Sequence, residues 1–381
     1  MQSKNPKTTP KPARSRRRRK RLARRNAWRV ALSVMTVIAL VLIGALCAGY
    51  AAFRGPSPTM GDLLTVSLLE TSALKFVHRI YYRQAEVDAI VERNSVGGDE
   101  EETDTSMIVI SRPTPVPAEP VVTPQPEAQD AADIVVNVTP SPTPAPENLI
   151  SSEDGIEIYA VKGATYTGFM MVVDDPSRVA CGTSRDKFDG ASGLQLKEIA
   201  QRYDAVAAIN GGGFEDSGGM GNGSVPIGVV ISNGQLMHGG NGGKYNVTVG
   251  FNQDDIMIIG EMTEDEALAK GLRDAMTFGP ALVINGEAVS VKGLSSGLNP
   301  RTAIGQRADG AVLMLVIDGR QASSLGASYA DLITQMLQYG AVNAINLDGG
   351  SSSLMYYKGD YMNRGVVLTG SRDMPTAFIV R

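Results

Sequence analysis

Near its carboxyl end the chain reads AVNAINLDGGSSSLMYY, where an apolar run stops at Asp348 and glycine and serine follow. A carboxylate at a strand end can act as an acid, a base or a nucleophile when it faces a ligand. The amides of Gly349 and Gly350, with the amides and hydroxyls of Ser351 and Ser352, could form a concave site for an anion. The stretch therefore predicts an acid beside an anion site, and a tight turn capped by the aspartate is the structural alternative.

An earlier stretch, AAINGGGFEDSGGMGNGS at 207–224, has the same layout of an apolar strand followed by polar residues in glycine. Asn210 ends the strand, Gly211 and Gly212 allow close approach to the backbone, and Glu215 follows. Neither common nucleotide-binding loop fits, because no Gly-Lys-Ser/Thr follows and no dinucleotide fingerprint opens a helix. We predict that Asn210, the glycine amides and Glu215 contact a ligand, with a flexible loop as the alternative.

A third stretch, NPRTAIGQRADGAVLMLVIDGRQ at 299–321, contributes a cation and a second carboxylate. Arg301 follows a proline that restricts the backbone, and a fixed guanidinium can hold a phosphate through two parallel hydrogen bonds. A surface salt bridge is the alternative for Arg301. Asp318 ends a strong apolar strand, as Asp348 does, and is either a turn cap or a site residue. Asn346, two residues before Asp348, is a further candidate for substrate contact.

Several classes of chemistry are excluded by the residues that are missing. The chain has two histidines, of which only His238 lies in the globular part, so a histidine-based zinc site is excluded. Cys47 and Cys181 are the two cysteines, and a Ser-His-Asp hydrolase would rest on His238 alone. Chemistry must therefore depend on carboxylates, amides and arginine, as glycosidic hydrolysis does. No cofactor is predicted; a divalent cation such as Ca²⁺ is compatible with the carboxylates but is not required.

The amino-terminal part predicts a membrane anchor. Residues 1–29 carry thirteen Lys or Arg and no Asp or Glu. The net charge of the whole chain is −4, so the remaining residues together carry a charge of −17. No charge occurs from Val30 to Phe53, and about 20 apolar residues suffice to cross a bilayer. We therefore interpret 1–26 as a cytoplasmic tail and 27–53 as an uncleaved single span in contact with lipid, with the carboxy-terminal domain extracellular. A nucleic-acid-binding arm is rejected because the span separates the arginines from that domain, and a cleaved signal peptide is the weaker alternative.

The remaining chain falls into three regions. Residues 60–94 repeat apolar side chains at helical spacing and predict a juxtamembrane amphipathic helix, which could also dimerise. Residues 95–148 are rich in Pro, Thr and Glu and predict a disordered linker. Residues 149–381 contain ten short apolar runs and three helical segments that open with capping-box pairs at Ser192, Thr263 and Ser328. This pattern predicts a strand-rich α+β domain with mixed sheets in layers and about three helices.

Six motifs, taken in order, resemble those of the phosphodiester glycosidase family, which includes an enzyme that uncovers mannose 6-phosphate and bacterial members described as exopolysaccharide-related. They are AINGGGF (208–214), FGPALVING (278–286), PRTAIG (300–305), VIDGR (316–320), GAVNAINLDGGSSS (340–353) and RDMPTAFIV (372–380). The resemblance implies hydrolysis of a sugar-1-phosphodiester, as found in cell-envelope glycans or exopolysaccharides. It implies attack at the anomeric carbon with a phosphate monoester as leaving group.

The resemblance implies roles for individual residues, although it does not distinguish the roles of the two aspartates. Asp348 and Asp318 are candidates for acid, base or nucleophile, and their individual roles are not distinguished. Arg301 and the glycine-rich amides would hold the phosphate, and Asn210 the sugar or the phosphate. Gly213 and Ser351 depart from the usual family pattern. These departures motivate the second hypothesis, a non-catalytic module that binds phosphate-linked envelope polysaccharide.

Overall fold

The computed structural model describes residues 13–71, 74, 76–97, 102–110, 148–216, 221–239, 247–293, 296–363 and 372–381. Within these ranges it contains six α-helices and twenty strands, which we number along the chain. The helices are α1 (Ala13–Arg54), α2 (Pro58–Leu69), α3 (Gln84–Arg93), α4 (Leu196–Arg202), α5 (Glu264–Ala269) and α6 (Tyr329–Gln338). The chain divides into two compact units, Met1–Gly61 and Asp62–Arg381.

The first unit consists mainly of α1. Its part from Ala23 to Arg54 is 32 residues long and apolar enough to cross a membrane. At about 1.5 Å of rise per residue, a helix of this length exceeds the roughly 30 Å hydrocarbon core of a bilayer. Its apolar side chains are exposed; Val41, for example, is 65% accessible. The predicted span at 27–53 lies inside this helix, and its insertion in a membrane stays a prediction.

The prediction of one continuous helix over 60–94 is wrong. The segment forms the end of α2, a 3-10 turn at Val77–Ile80 and α3. From Asp62 onward the segment is part of the second unit, and its helical periodicity reflects packing there, where Val66, Val87 and Ile90 are buried. A bidentate ion pair between Arg93 and Asp62, with distances of 2.5 and 2.6 Å, closes the segment on itself.

The start of the predicted linker also belongs to the second unit. Val96 forms an isolated β-bridge with Val291, and the amide of Val109 donates to the carbonyl of Ala308 at 2.8 Å. Ile108 is buried among these contacts. Apolar residues at the ends of this polar stretch therefore pack as part of the domain. The rest of the predicted linker, 111–147, lies outside the described residues.

An eight-stranded sheet forms the centre of the second unit. Its middle strands are buried along almost their whole length because runs such as AVLMLVID have no polar face. The order across the sheet is β1 (Leu149–Glu153), β2 (Ile156–Lys162), β3 (Thr167–Val173), β15 (Val312–Ile317), β14 (Arg301–Arg307), β16 (Ala341–Leu347), β12 (Ala281–Ile284) and β13 (Glu287–Ala288). All its pairings are antiparallel.

Two five-stranded antiparallel sheets pack with it around a common core. One has the order β10 (Met257–Gly260), β9 (Thr248–Asn252), β11 (Leu272–Thr277), β7 (Val230–Ser232) and β8 (Gln235–His238). The other has the order β18 (Asp360–Tyr361), β17 (Met355–Tyr357), β6 (Ala207–Asn210), β20 (Thr376–Val380) and β4 (Val179–Thr183). The rings of Phe251 and Phe378 meet edge to face at 6.2 Å between these two sheets.

The strand-rich α+β prediction is confirmed, and each of the ten predicted apolar runs coincides with a strand. The prediction of mixed sheets is wrong among the described strands, whose pairings are antiparallel. The helix α6 connects β15 to β16, which run parallel, but β14 lies between them and pairs antiparallel with both. The caps at Ser328 and Thr263 are confirmed. The cap predicted at Ser192 lies instead at Gln195, because residues 194–195 pair with the short strand β19 (Asp373–Met374).

Candidate active site

The ends of three strands bring the predicted residues to one edge of the domain. Thr302 on β14 is paired with Leu347 on β16, so the next residues outward, Arg301 and Asp348, emerge at the same edge. β6 ends nearby at Asn210, and the amide of Asp348 donates to the carbonyl of Gly211 at 3.2 Å. Antiparallel register therefore gathers residues that lie up to 138 positions apart in the sequence.

Asn210 clamps the loop that carries Asp348. Its Nδ2 donates to the carbonyl of Asp348 at 2.6 Å, and its Oδ1 accepts from Thr302 Oγ1 at 2.6 Å and from the amide of Leu354 at 3.2 Å. The side chain is 1% exposed and is bonded on both ends. Asn210 therefore contacts the backbone of Asp348 and does not belong to the cavity lining described below.

We expect Asn210→Ala to destabilise the domain by about 2–4 kcal/mol, because a buried carbonyl and a buried amide lose their partners at once. Sugar release, if assayed, should fall as the Asp348 loop loosens. Urea unfolding followed by circular dichroism measures the change in free energy. Asn343→Ala is the matched control, since Asn343 is equally buried on β16 but has a single described bond, from the amide of Asn285. A similar loss of stability in both variants would contradict the clamp.

The glycine amides predicted to hold an anion are largely used inside the protein. The amide of Gly211 donates to the carbonyl of Thr376 at 3.1 Å, and that of Gly212 donates to Thr376 Oγ1 at 3.2 Å. The amide of Gly350 donates to the carbonyl of Pro300 at 2.9 Å, and that of Ser352 to Gly349. A Cβ atom on Gly212 would lie 2.7 Å from the carbonyl oxygen of Thr277. These glycines allow close packing, so the prediction of an open amide cradle is corrected.

A cavity of about 420 Å³ lies beside this loop, and Asp348 faces it. Most of its lining residues are charged or polar, which suits an anionic, hydroxylated ligand. The lining consists of Glu70, Thr71, Asp216, Phe278, Gly279, Asn299, Arg301, Arg320, Tyr329, Asp348, Gly349, Gly350, Ser351 and Arg372. Three carboxylates and three guanidinium groups thus share one recess.

The ionisation of Asp348 is shifted towards neutral pH. Burial raises the pKa of its carboxyl from 3.8 to about 6. The hydroxyl of Ser352, the charge of Arg372 and the amide of Gly349 oppose that rise, while the charge of Asp216 adds to it. The Gly349 amide donates to Asp348 Oδ1 at 3.0 Å. A carboxyl that titrates near pH 6 can exchange protons under physiological conditions.

Arg372 is the cation beside Asp348, and the sequence reasoning missed its role. Its Nη2 lies 2.6 Å from Asp216 Oδ2, and its guanidinium carbon lies 4.7 Å from the centre of the Phe214 ring. Nη1 is 3.4 Å from Ser351 Oγ. The motif RDMPTAFIV contains this arginine, but no periodicity or spacing distinguishes it from a surface charge.

The side chain of Arg301 is buried, so it is not freely available to bind a phosphate. Its Nε donates to the carbonyl of Ala327 at 3.2 Å, and its guanidinium stacks on Tyr329 at 4.4 Å. Nη2 donates to Ser296, and Nη1 lies 2.7 Å from Glu70 Oε2. Only an edge of Arg301 therefore remains for a ligand. Arg320, with its Nη2 bonded to Thr71 and Asn299, presents a further cation to the cavity.

The other predicted site residues lie away from this lining. Asp318 accepts from Asn363 Nδ2 at 3.1 Å, and burial raises the pKa of its carboxyl, but it does not line the cavity. Glu215 is exposed next to Asp216. Asn346 is buried and donates from Nδ2 to the carbonyl of Gly279 at 2.8 Å, so it supports a residue of the wall. Within the described part of the chain, no group of three or more His, Cys, Asp or Glu side chains could hold a metal ion.

The family model for phosphodiester glycosidase matches residues 203–381, which include every cavity residue except Glu70 and Thr71. The SPbeta prophage-derived protein YomE of Bacillus subtilis is 28% identical over 238 residues, covering 60% of this chain and 33% of YomE. Mouse N-acetylglucosamine-1-phosphodiester α-N-acetylglucosaminidase is 27% identical over 222 residues, covering 52% of this chain and 41% of the mouse enzyme. The chain thus spans less than half the length of these relatives.

A solved structure shows the same fold. It is the catalytic domain of zebrafish N-acetylglucosamine-1-phosphodiester α-N-acetylglucosaminidase, described as auto-inhibited by its pro-peptide. It is 21% identical in sequence with a TM-score of 0.50, and the match covers 61% of this chain and 85% of the zebrafish chain. By sequence and by fold, the carboxy-terminal domain of this protein is similar to the phosphodiester glycosidase family.

Proposed function

We propose that this protein is a membrane-anchored hydrolase that cleaves the glycosidic bond of a sugar-1-phosphodiester outside the cytoplasm. The observation that carries the proposal is the placement of Asp348, with a raised pKa, in one cavity with three arginines. The mouse and bovine relatives are N-acetylglucosamine-1-phosphodiester α-N-acetylglucosaminidases, enzymes named for the same class of bond. Glycan phosphodiesters of the cell envelope or of exopolysaccharide are the proposed substrates, and residues 27–53 are the proposed anchor.

The reaction separates charge in a way that this cavity can balance. A water oxygen bonds to the anomeric carbon, and the bond from that carbon to the phosphate oxygen breaks. The oxygen keeps the electron pair and leaves as a phosphate monoester, while water loses a proton. Arg320 and Arg372 would neutralise the departing phosphate, and Asp348 would accept the proton or stabilise the positive anomeric carbon.

The proposal differs from the sequence-based assignment in the residues that hold the phosphate. Arg301 is enclosed by protein partners and is compensated by Glu70, whereas Arg320 and Arg372 line the cavity next to Gly350 and Ser351 of the Asp348 loop. Charge-assisted hydrogen bonds from guanidinium groups are a common means of binding phosphate, and both of these groups border the cavity. Arg301 then acts mainly as a fixed positive charge behind the site.

The full chain, purified in detergent, should release free sugar from a sugar-1-phosphodiester. It should release little from the sugar-1-phosphate monoester or from an aryl glycoside, because neither presents the diester to both arginines. Free sugar and phosphate monoester are quantified by chromatography. Saturable binding of the diester without release of sugar would instead support the polysaccharide-binding module.

A further inference from the structure

Glu70 reaches the candidate active site from a part of the chain that neither the predicted domain nor the family match contains. It follows α2 and lies more than 130 residues before the first matched residue. Its Oε2 is 2.7 Å from Arg301 Nη1 and accepts from Asn299 Nδ2 at 3.1 Å. About a third of its side chain, 33%, remains accessible. The carboxylate is therefore held in a fixed position with one face open to the cavity.

The segment that carries Glu70 is built into the domain. Ser67 Oγ accepts from the amide of Leu298 at 3.0 Å, and the preceding residue, Gly297, has a φ of +71°. A Cβ atom on Gly297 would lie 2.2 Å from Ser67 Oγ and 2.7 Å from its amide nitrogen. Gly293 approaches Asn94 in the same way, at 2.4 Å from its Oδ1. Two glycines thus provide space for this segment, as in a permanent contact.

Glu70 and Asp348 line the same cavity, and Arg320 contacts the segments around both. The guanidinium of Arg320 approaches Gly350 on the Asp348 loop, with Nη1 3.4 Å and Nη2 3.5 Å from where a Cβ would be. Its Nη2 also donates to Asn299 Oδ1 at 3.1 Å, and Asn299 in turn donates to Glu70. Asp216, in contrast, lies with Arg372 on the Asp348 side. Glycoside hydrolysis commonly uses two carboxylates that flank the scissile bond.

We propose that Glu70 is the second carboxylate of the site and works with Asp348 across the bound sugar. It takes the place that the sequence assigned to Asp318. The inference rests on the proposed function, because it names a residue for that reaction. It also means that residues 62–71 belong to the catalytic domain, so a fragment starting at residue 149 lacks part of its active site.

The test compares variants of the full chain with the sugar-1-phosphodiester as substrate. We expect Glu70→Gln to lower kcat at least about 100-fold, as loss of an acid–base group does, while KM changes only a few-fold. Glu92→Gln makes the same chemical change on the exposed face of α3 and should leave both constants unaltered. Calorimetric binding of the phosphate monoester product should persist in Glu70→Gln.

Glu70→Asp covers the case in which removing the charge beside Arg301 prevents folding. It keeps the counter-charge but withdraws the carboxylate by about 1.5 Å, one carbon–carbon bond. A catalytic group displaced that far should cost roughly 10- to 100-fold in kcat, whereas a simple counter-ion would tolerate the change. A folded Glu70→Asp with unaltered kcat would overturn the inference.

Two other outcomes would also overturn it, and they differ from a failure of the proposed function. A faster Glu70→Gln enzyme with tighter binding of the monoester would show that the segment blocks the cavity and competes with phosphate for Arg301. A Glu70→Gln enzyme with unaltered kcat and KM would show that Glu70 takes no part in the reaction. In both cases the wild type still releases sugar, so the proposed function stands. A wild type that releases no sugar would remove the function and this inference together.

Discussion

Replacing Asp348 by asparagine should abolish sugar release and at the same time stabilise the fold above about pH 6. The amide cannot exchange a proton or carry the negative charge, so kcat should fall by about 100- to 10,000-fold. The stability gain follows from the raised pKa of the Asp348 carboxyl, about 6 against 3.8. That carboxyl favours folding fully below pH 3.8, and the benefit is lost as pH rises through 6. Asparagine avoids the burial of charge, which costs up to about 3 kcal/mol at pH 8.

Thermal melting of wild type and Asp348→Asn at pH 4 and pH 8 checks the stability part. The variant should melt higher at pH 8 and close to wild type at pH 4. Asp318→Asn is the matched control, because Asp318 also ends a strand and burial also raises the pKa of its carboxyl, yet it lies outside the cavity lining. It should retain turnover. An active Asp348→Asn enzyme, or an inactive but folded Asp318→Asn enzyme, would reverse the assignment of the two aspartates.

Replacing Arg372 by glutamine should produce the second large effect, on the phosphodiester specifically. The guanidinium of Arg372 contacts Asp216 and Ser351 and lines the cavity beside the Asp348 loop. A charged hydrogen bond to phosphate contributes about 1.5–3 kcal/mol, so kcat/KM for the diester should fall roughly 10- to 150-fold. Loss of the positive charge should also raise the pKa of Asp348 further, because Arg372 lowers it in the native protein. The limb of the pH–rate profile that reports Asp348 should therefore move to higher pH.

Arg202→Gln provides the control for that experiment. Arg202 also pairs with an aspartate, Asp186, and lies over an aromatic ring, that of Tyr203, but on the surface away from the cavity. Its loss should change kcat/KM and the pH profile very little. Steady-state rates from pH 4 to 9 measure both effects. An unchanged pH profile in Arg372→Gln, with Arg202→Gln as reference, would show that Arg372 does not act on Asp348.

The sequence by itself determined most of the framework. Uninterrupted apolar runs such as AVLMLVID have no polar face, which predicts buried strands, and each run ends within one residue of the end of a strand. Arg301 and Asp348 were identified as candidates from their places at strand ends, but their meeting depends on the register of β14 and β16. The turn at Asn285 and Gly286, both with positive φ, was likewise readable from an Asn-Gly pair. The family resemblance depended on the same local motifs.

Only the tertiary structure decided which polar groups face the cavity and which are used inside the protein. Asn210 and the amides of Gly211 and Gly212 look like ligand groups in sequence, but folding satisfies their hydrogen bonds within the protein. Glu70 shows the reverse case, a residue that nothing in the sequence indicated for the site. Its segment has the apolar spacing of a membrane-surface helix, yet its carboxylate forms an ion pair with Arg301. Periodicity reports which face of an element is apolar, but not which surface covers that face. A charged side chain gains its role from partners hundreds of residues away, and local sequence contains no record of them.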